Sequence, residues 1–296
     1  MNAVFAAGPL GFAIEGARAP ADWPCARASG SAPQHLIRVT LTAAAPSVGS
    51  KWDGALDGIQ TGVAPTTGIC TFTRRGAFDA TFDPHTLCGA YRGLVDGTAD
   101  AAVPTPMPLV ESFLRACAAT TLLLHGGALF HGASVAVDGA GYLFCGLSGA
   151  GKTTLVEGTI DGVYLSDDQS IMGLQDGEPC LWGSPFSGLA ARRAAPVCVP
   201  LRAVVLLSST RPARTRLTIR TDRARASGEL LRHVCSFLRT PHEAERALAM
   251  VANLVTQVPL FSLERHLDTS LMDVVDAIRA RAPAVAPAVD VMRRVG

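Results

Sequence analysis

Tyr142-Leu143-Phe144-Cys145-Gly146-Leu147-Ser148-Gly149-Ala150-Gly151-Lys152-Thr153-Thr154-Leu155 is the stretch on which the fold turns. An apolar run of strand length enters a glycine-rich turn, and Lys152 opens a segment that reads as a helix start. Gly146 to Thr153 fits G-x-x-x-x-G-K-[ST] at each fixed position, in the strand, loop and helix context that a phosphate-binding loop requires. The residue types follow from that chemistry. Glycines let consecutive backbone N–H groups turn inward around phosphate oxygens, and a helix N-terminus adds partial positive charge. The contacting set is Gly146, Leu147, Ser148, Gly149, Ala150, Gly151, Lys152, Thr153 and Thr154. Lys152 reaches the terminal phosphates and the Thr153 hydroxyl is placed to ligate Mg²⁺. Lys51 is the only other lysine in the chain.

Outward from that loop the chain is apolar: 296 residues, 48% hydrophobic and 17% charged, with a mean hydropathy of +0.27. That is enough for one large core or two modest ones. The longest apolar patch, around Leu122 to Phe130, is broken by His125 and two glycines and reads as buried sheet or helix. It falls short of the roughly 18 residues that span a bilayer. Met1 to Ile14 has no basic flank and carries Pro9 and Gly11, so it reads as strand and turn and not as a signal peptide. A net charge of +1 points to neither nucleic acid nor an anionic membrane as partner. The eight cysteines show no metal-type spacing. Cys117, Cys145, Cys198 and Cys235 lie among apolar neighbours and read as small core residues of a cytoplasmic protein without a disulfide framework.

Hydrophobic periodicity predicts an α/β protein in three parts. Residues 1–100 form a small β-rich module, with apolar runs at Leu36–Leu41, Gly68–Phe72 and Ala77–Phe82 between turn signals. Asp96 to Pro108 reads as a linker. Residues 101–282 form the loop-bearing domain of strands and helices, and 283–296 read as a disordered tail. Within the domain a helix is expected over 108–124, strands over 128–137 and 142–145, and a hairpin turn at Asp138-Gly139-Ala140-Gly141 between them. The loop helix runs from Lys152 to about Gly158. Further strands are expected beside Asp167-Asp168, after Asp176-Gly177, at 201–207, 216–220 and 260–263. Helices are expected over 226–238, 242–256 and 268–279.

Three features narrow the chemistry. Asp167-Asp168 follows an apolar strand 14 residues after Thr153, where a loop-bound nucleotide needs its second Mg²⁺ contact. Two adjacent acids allow one to support the metal and the other to accept a proton. His131-Gly132 lies 15 residues before Gly146, and a hairpin would return His131 close to the phosphates. His125-Gly126 has a weaker claim. The turn-rich Gly183 to Gly188 loop is of the kind that shapes a substrate site, and Arg192 and Arg193 follow it.

Together these residues resemble the HPr kinase/phosphorylase family and its shorter HPr-kinase-like relatives. The likeness runs from His131-Gly132 through a hairpin to Ser148–Thr153 and on to Ser166-Asp167-Asp168. The loop wording is also similar to that of ATP-dependent phosphoenolpyruvate carboxykinases, which are longer. The resemblance implies a P-loop kinase core of the HPr kinase/phosphoenolpyruvate carboxykinase type, a mixed sheet with flanking helices, using ATP and Mg²⁺ on a serine. It implies Lys152 on the phosphates, Thr153 and Asp168 on the metal, Asp167 as general base and His131 as a phosphate-contacting histidine. It also implies a homo-oligomer. Ser184 to Gly188 holds no glutamate where the family has a metal-binding one, and the phosphorolysis arginine stays unassigned among Arg192, Arg193, Arg211 and Arg214. The acceptor is therefore expected to be a peptide or small protein other than HPr, such as a ribosomally made precursor peptide. A nucleotide-binding regulatory or scaffold protein, and a kinase for a small hydroxylated metabolite, remain open alternatives.

Overall fold

Strand alternation builds the first layer. The structure is a computed structural model that describes residues 3–7, 9–16, 33–43, 59–74, 78–93, 107–157, 162–186, 194–238 and 240–282. Residues 96–106 of the expected Asp96–Pro108 linker, the tail at 283–296 and the Arg192-Arg193 pair lie outside those residues, while Met107 and Pro108 already belong to a helix. Strands β1 (Ala3–Ala7), β2 (Leu10–Gly16), β3 (His35–Ala43), β4 (Gln60–Val63), β5 (Cys70–Arg74), β6 (Phe78–Asp83) and β7 (Cys88–Gly93) form one sheet in the order β1-β2-β3-β7-β6-β5-β4. Along β3, Ile37, Val39 and Leu41 are buried while Arg38, Thr40 and Thr42 are exposed; β6 repeats the pattern with Phe78, Ala80 and Phe82 inside. A period of two with one apolar face demands a cover.

Helix α1 (Met107–Leu124) supplies it. Phe113 is 1% exposed and meets Phe72 edge-on at 5.7 Å and Tyr91 at 6.0 Å between ring centroids. The same core cluster continues into Leu129, Ile171, Trp182 and Phe186, so α1 is packed between the first sheet and the second. Phe113→Ala is expected to destabilise the fold by about 3–5 kcal/mol, the cost of deleting a buried ring. Urea unfolding followed by tryptophan fluorescence measures it.

A second contact crosses the same seam. His35 on β3 stacks on His125, just after α1, at 3.6 Å between ring centroids and 18° between planes. Burial and then the neighbouring His125 charge lower the His35 pKa; burial and then the Arg246 charge lower that of His125. The folded state thus prefers both rings neutral, whereas the unfolded chain protonates them near the ordinary 6.5. Their contribution is complete above that value and is lost as the pH falls below it, because the unfolded chain then binds more protons. The melting temperature should drop between pH 7 and pH 5, and His125→Gln should flatten that drop.

The second sheet is built on β8 (Ala128–Val137), β9 (Ala140–Gly146), β10 (Val163–Ser166), β11 (Gln169–Gln175), β12 (Glu178–Trp182), β13 (Cys198–Leu207), β14 (Arg216–Ile219) and β15 (Leu260–Glu264). Asp138-Gly139 and Asp176-Gly177 close two-residue hairpins with positive φ at both positions, the geometry that matches strand twist. β8 divides its length: Ala128–His131 pairs β11, Gly132–Val137 pairs β9, and Ser134–Ala136 pairs β10. β9 lies parallel to β13, and β12 is antiparallel to both β11 and β13. The pairings β8-β9-β13-β12-β11-β8 therefore close into a small barrel, with β15 parallel to β13 and β14 at the edge.

Helices cover the extended part on both faces. Leu143 and Cys145 of β9 face a cluster with α3 (Arg223–Leu231) and α4 (Pro241–Gln257). Tyr142 and Phe144 face α2 (Lys152–Glu157) and α5 (Leu271–Arg279). Burial on both faces is why this strand reads as an unbroken apolar run. Three helix limits differ from the sequence expectation by three residues or more. α3 starts earlier, because the Asp222 side chain caps the Arg225 N–H. It ends at Leu231 and not 238, because residues 233–235 pair with β8 instead. α5 starts at Leu271 and not 268, where Ser270 and Asp273 make a reciprocal capping box. No helix among the described residues is long and apolar enough to cross a membrane.

Candidate functional site

β9 ends against Leu207 of β13, and the glycine-rich loop leaves the sheet there. A side chain at Gly146 would stand 2.8 Å from the Leu207 carbonyl oxygen, so only glycine fits the exit. Gly149 (φ 76°) and Gly151 (φ 92°) take left-handed conformations that L side chains avoid. The turn closes with the Ala150 N–H on the Leu147 carbonyl at 3.1 Å, and α2 begins with the Leu155 N–H on the Gly151 carbonyl at 3.0 Å. Ala150 is buried while Leu147 and Ser148 are exposed, so the loop stands on its alanine and opens outward.

Lys152 is 7% exposed. Its Nζ donates to the Gly146 and Leu147 carbonyls at 2.8 and 3.2 Å and lies 3.5 Å from His131 Nε2. Burial lowers its pKa, against the smaller upward pulls of Cys145 and Asp168. A desolvated ammonium held on two neutral carbonyls gains by exchanging them for charged oxygens, since charge-assisted bonds are roughly twice as strong.

The β8–β9 hairpin brings His131 to this point. His131 Nδ1 lies 3.1 Å from Asp168 Oδ1, and the Gly132 N–H donates to the Asp168 carbonyl at 2.8 Å. His131, beside it, does most to hold the Asp168 carboxyl below its usual range; Arg115 and Lys152 add to this, and burial opposes it. Arg115 Nη1 stands 3.8 Å from Asp168 Oδ2. Glu111, one turn away on α1, grips the Arg115 guanidinium through Nε at 2.9 Å and through Nη2. The guanidinium lies 5.8 Å over the Phe186 ring.

Asp167 has different surroundings. It is 2% exposed and accepts the Tyr164 hydroxyl at 2.7 Å. A register shift between Tyr164 and Ser166 inserts one extra residue into β10, and such bulges re-aim the side chains beyond them. The two adjacent acids thus part: Asp168 meets His131 and Arg115, and Asp167 is buried on Tyr164.

Lys152, His131 and Asp168 are therefore brought together, with Thr153 and Thr154 at the start of α2. His125 is elsewhere, stacked on His35. In the Gly183–Gly188 loop the described part is core and not a polar rim. Ser184 is buried and accepts the Phe186 N–H, and Phe186 packs on Phe12. Of the arginines considered, Arg211 donates to the Ala150 and Gly149 carbonyls, both at 3.2 Å, and Arg214 is exposed.

Sequence reasoning missed Arg115, Tyr164 and His233. The His131 N–H donates to the His233 carbonyl at 2.7 Å; burial, followed by the His131 and Lys152 charges, lowers the His233 pKa. Glu111 and Arg115 at helical spacing were the one legible signal of an anchored arginine. Among the described residues no three His, Cys, Asp or Glu side chains gather as metal ligands. A magnesium ion seated on phosphates takes one or two protein ligands, and Asp168 Oδ2 meets Arg115 too distantly for a hydrogen bond. The Thr153 hydroxyl and the Asp168 carboxylate are oxygen donors of the kind magnesium takes. No protein-family model and no curated protein matches this chain.

Proposed function

We propose that the protein is a cytoplasmic Mg·ATP-dependent kinase that phosphorylates a serine or threonine hydroxyl on a peptide or small protein. The observation that carries this reading is the chain of contacts from Lys152 through His131 to Asp168 at the mouth of the glycine-rich loop. The resemblance to HPr-kinase-like proteins supports the same reading. Loop N–H groups and Lys152 would bind the phosphates and stabilise charge as the terminal group transfers. Thr153 and Asp168 would hold a magnesium ion, which neutralises charge between the terminal phosphates.

The proton of the attacking hydroxyl goes to the Asp168–His131 pair. Asp168 orients the imidazole through Nδ1, which leaves Nε2 as an acceptor once Lys152 turns to the phosphates. We assign this role to the pair in place of Asp167, because a carboxylate that is 2% exposed and bonded to Tyr164 is out of a substrate hydroxyl's reach. The absence of a glutamate from Ser184 to Gly188 supports an acceptor other than HPr.

The test is transfer of label from γ-³²P-ATP in the presence of Mg²⁺. The panel holds serine-containing peptides encoded beside this protein, an HPr protein, free serine and small hydroxylated metabolites. Label on a peptide supports the proposal. Label confined to a metabolite makes the protein a metabolite kinase, and tight ATP binding with no transfer makes it a regulatory nucleotide-binding protein.

A further inference from the structure

We infer that Arg211 and Arg265 form a second oxyanion subsite on the outer flank of the glycine-rich loop, and that it receives the nucleotide phosphate nearest the ribose. The inference rests on the nucleotide-binding reading above and adds the site's polarity to it.

Topology separates the two ends of the loop. β9 is flanked by β8 on one edge and by β13, then β15, on the other. β9, β13 and β15 are parallel, so the segments that follow them emerge at the same end of the sheet. Lys152 leans toward β8, where His131 and Asp168 lie. Arg211 follows β13 and Arg265 follows β15, on the opposite side. A polyphosphate whose terminal group meets Lys152 therefore has its nucleoside end on the arginine side.

The two guanidinium groups converge on one point. Arg211 Nη2 and Arg265 Nη2 stand 3.4 and 3.5 Å from the position a Gly151 side chain would occupy. Arg265 is 5% exposed. Its Nη1 donates to the Thr269 carbonyl at 3.2 Å, while its Nε is buried without a hydrogen-bond partner. Among the described residues, neither Arg211 nor Arg265 makes an ion pair. Burial and the Arg211 charge hold the Arg265 guanidinium below its ordinary pKa.

A buried cation is ordinarily paired, and one left unpaired beside a like charge is costly. A phosphate oxygen between the two arginines resolves both faults at once. The guanidinium fork also suits phosphate geometry.

The experiment is calorimetric titration of the full chain with AMP, which carries the proximal phosphate alone, and with inorganic pyrophosphate, which lacks the nucleoside. Wild type, Arg211→Met, Arg265→Met, Arg265→Lys and Lys152→Ala are compared. Each arginine-to-methionine change should weaken AMP by roughly tenfold to a hundredfold, the scale of a lost charge-assisted hydrogen bond, and pyrophosphate far less. Lys152→Ala should do the reverse, and Arg265→Lys should recover part of the AMP affinity. Equal weakening of both ligands in Arg211→Met would mean that Arg211 only braces the loop carbonyls, and would overturn the inference. So would a wild type that binds pyrophosphate but not AMP. If Arg265→Met fails to fold, Arg211→Met, at an exposed position, decides alone. A wild type that binds ATP with every arginine variant unchanged sinks this inference and leaves the nucleotide reading standing. A wild type that binds neither ATP nor pyrophosphate sinks both.

Discussion

Lys152→Ala is expected to weaken ATP binding by a hundredfold or more and to leave no measurable phosphoryl transfer. The lysine sits almost out of solvent with a depressed pKa, so its charge is already desolvated and is held by two carbonyls. Phosphate oxygens are better partners, and two charge-assisted hydrogen bonds are worth about 3 kcal/mol or more. Alanine forfeits that difference and removes the charge that stabilises the transferring group. Folding should survive, because the substitution also relieves a buried cation. Titration calorimetry and a transfer assay read the two effects separately. Normal ATP affinity in the variant would end the phosphate-loop reading.

Asp168→Asn should cut transfer by about a hundredfold or more, the scale of general acid–base catalysis, with ATP affinity largely kept. The amide oxygen can still accept the His131 Nδ1 proton, so the geometry survives while the charge is lost. Asp167→Asn should behave differently. Its amide oxygen remains available to the Tyr164 hydroxyl, and transfer should stay close to that of wild type. Single-turnover transfer rates of the two variants at saturating ATP separate the acids. An inactive Asp167→Asn beside an active Asp168→Asn would return the proton to Asp167.

Much of the second sheet was legible because its strands are buried on both faces, as β9 is, or are closed by Asp-Gly turns with forced backbone signs. Helix α1 was legible from Leu109, Phe113, Leu114 and Cys117 at helical spacing. The first sheet was less so. β7 carries glycines and an arginine about Tyr91, and β4 is Gln, Thr, Gly and a single apolar Val63, so neither shows strong alternation. The loop and the acidic pair could be read locally, since their chemistry is written in consecutive residues. Their surroundings could not. Arg115 reaches Asp168 only after α1 docks between the sheets, and the division between Asp167 and Asp168 depends on a one-residue bulge. The early end of α3 reflects backbone pairing with β8, which overrides helix propensity.

The barrel's closure has a consequence for the order in which the chain is made. Both edges of β9 are engaged only when β13 lies beside it, and β13 is synthesised well after the loop. On the ribosome, the nascent hairpin of β8 and β9 holds an apolar strand with one bare edge until residue 207 has emerged. A flat, unpaired edge of that kind recruits other chains. Production of this protein is thus most exposed to aggregation in that interval, and slow translation across residues 147–207 would lengthen it.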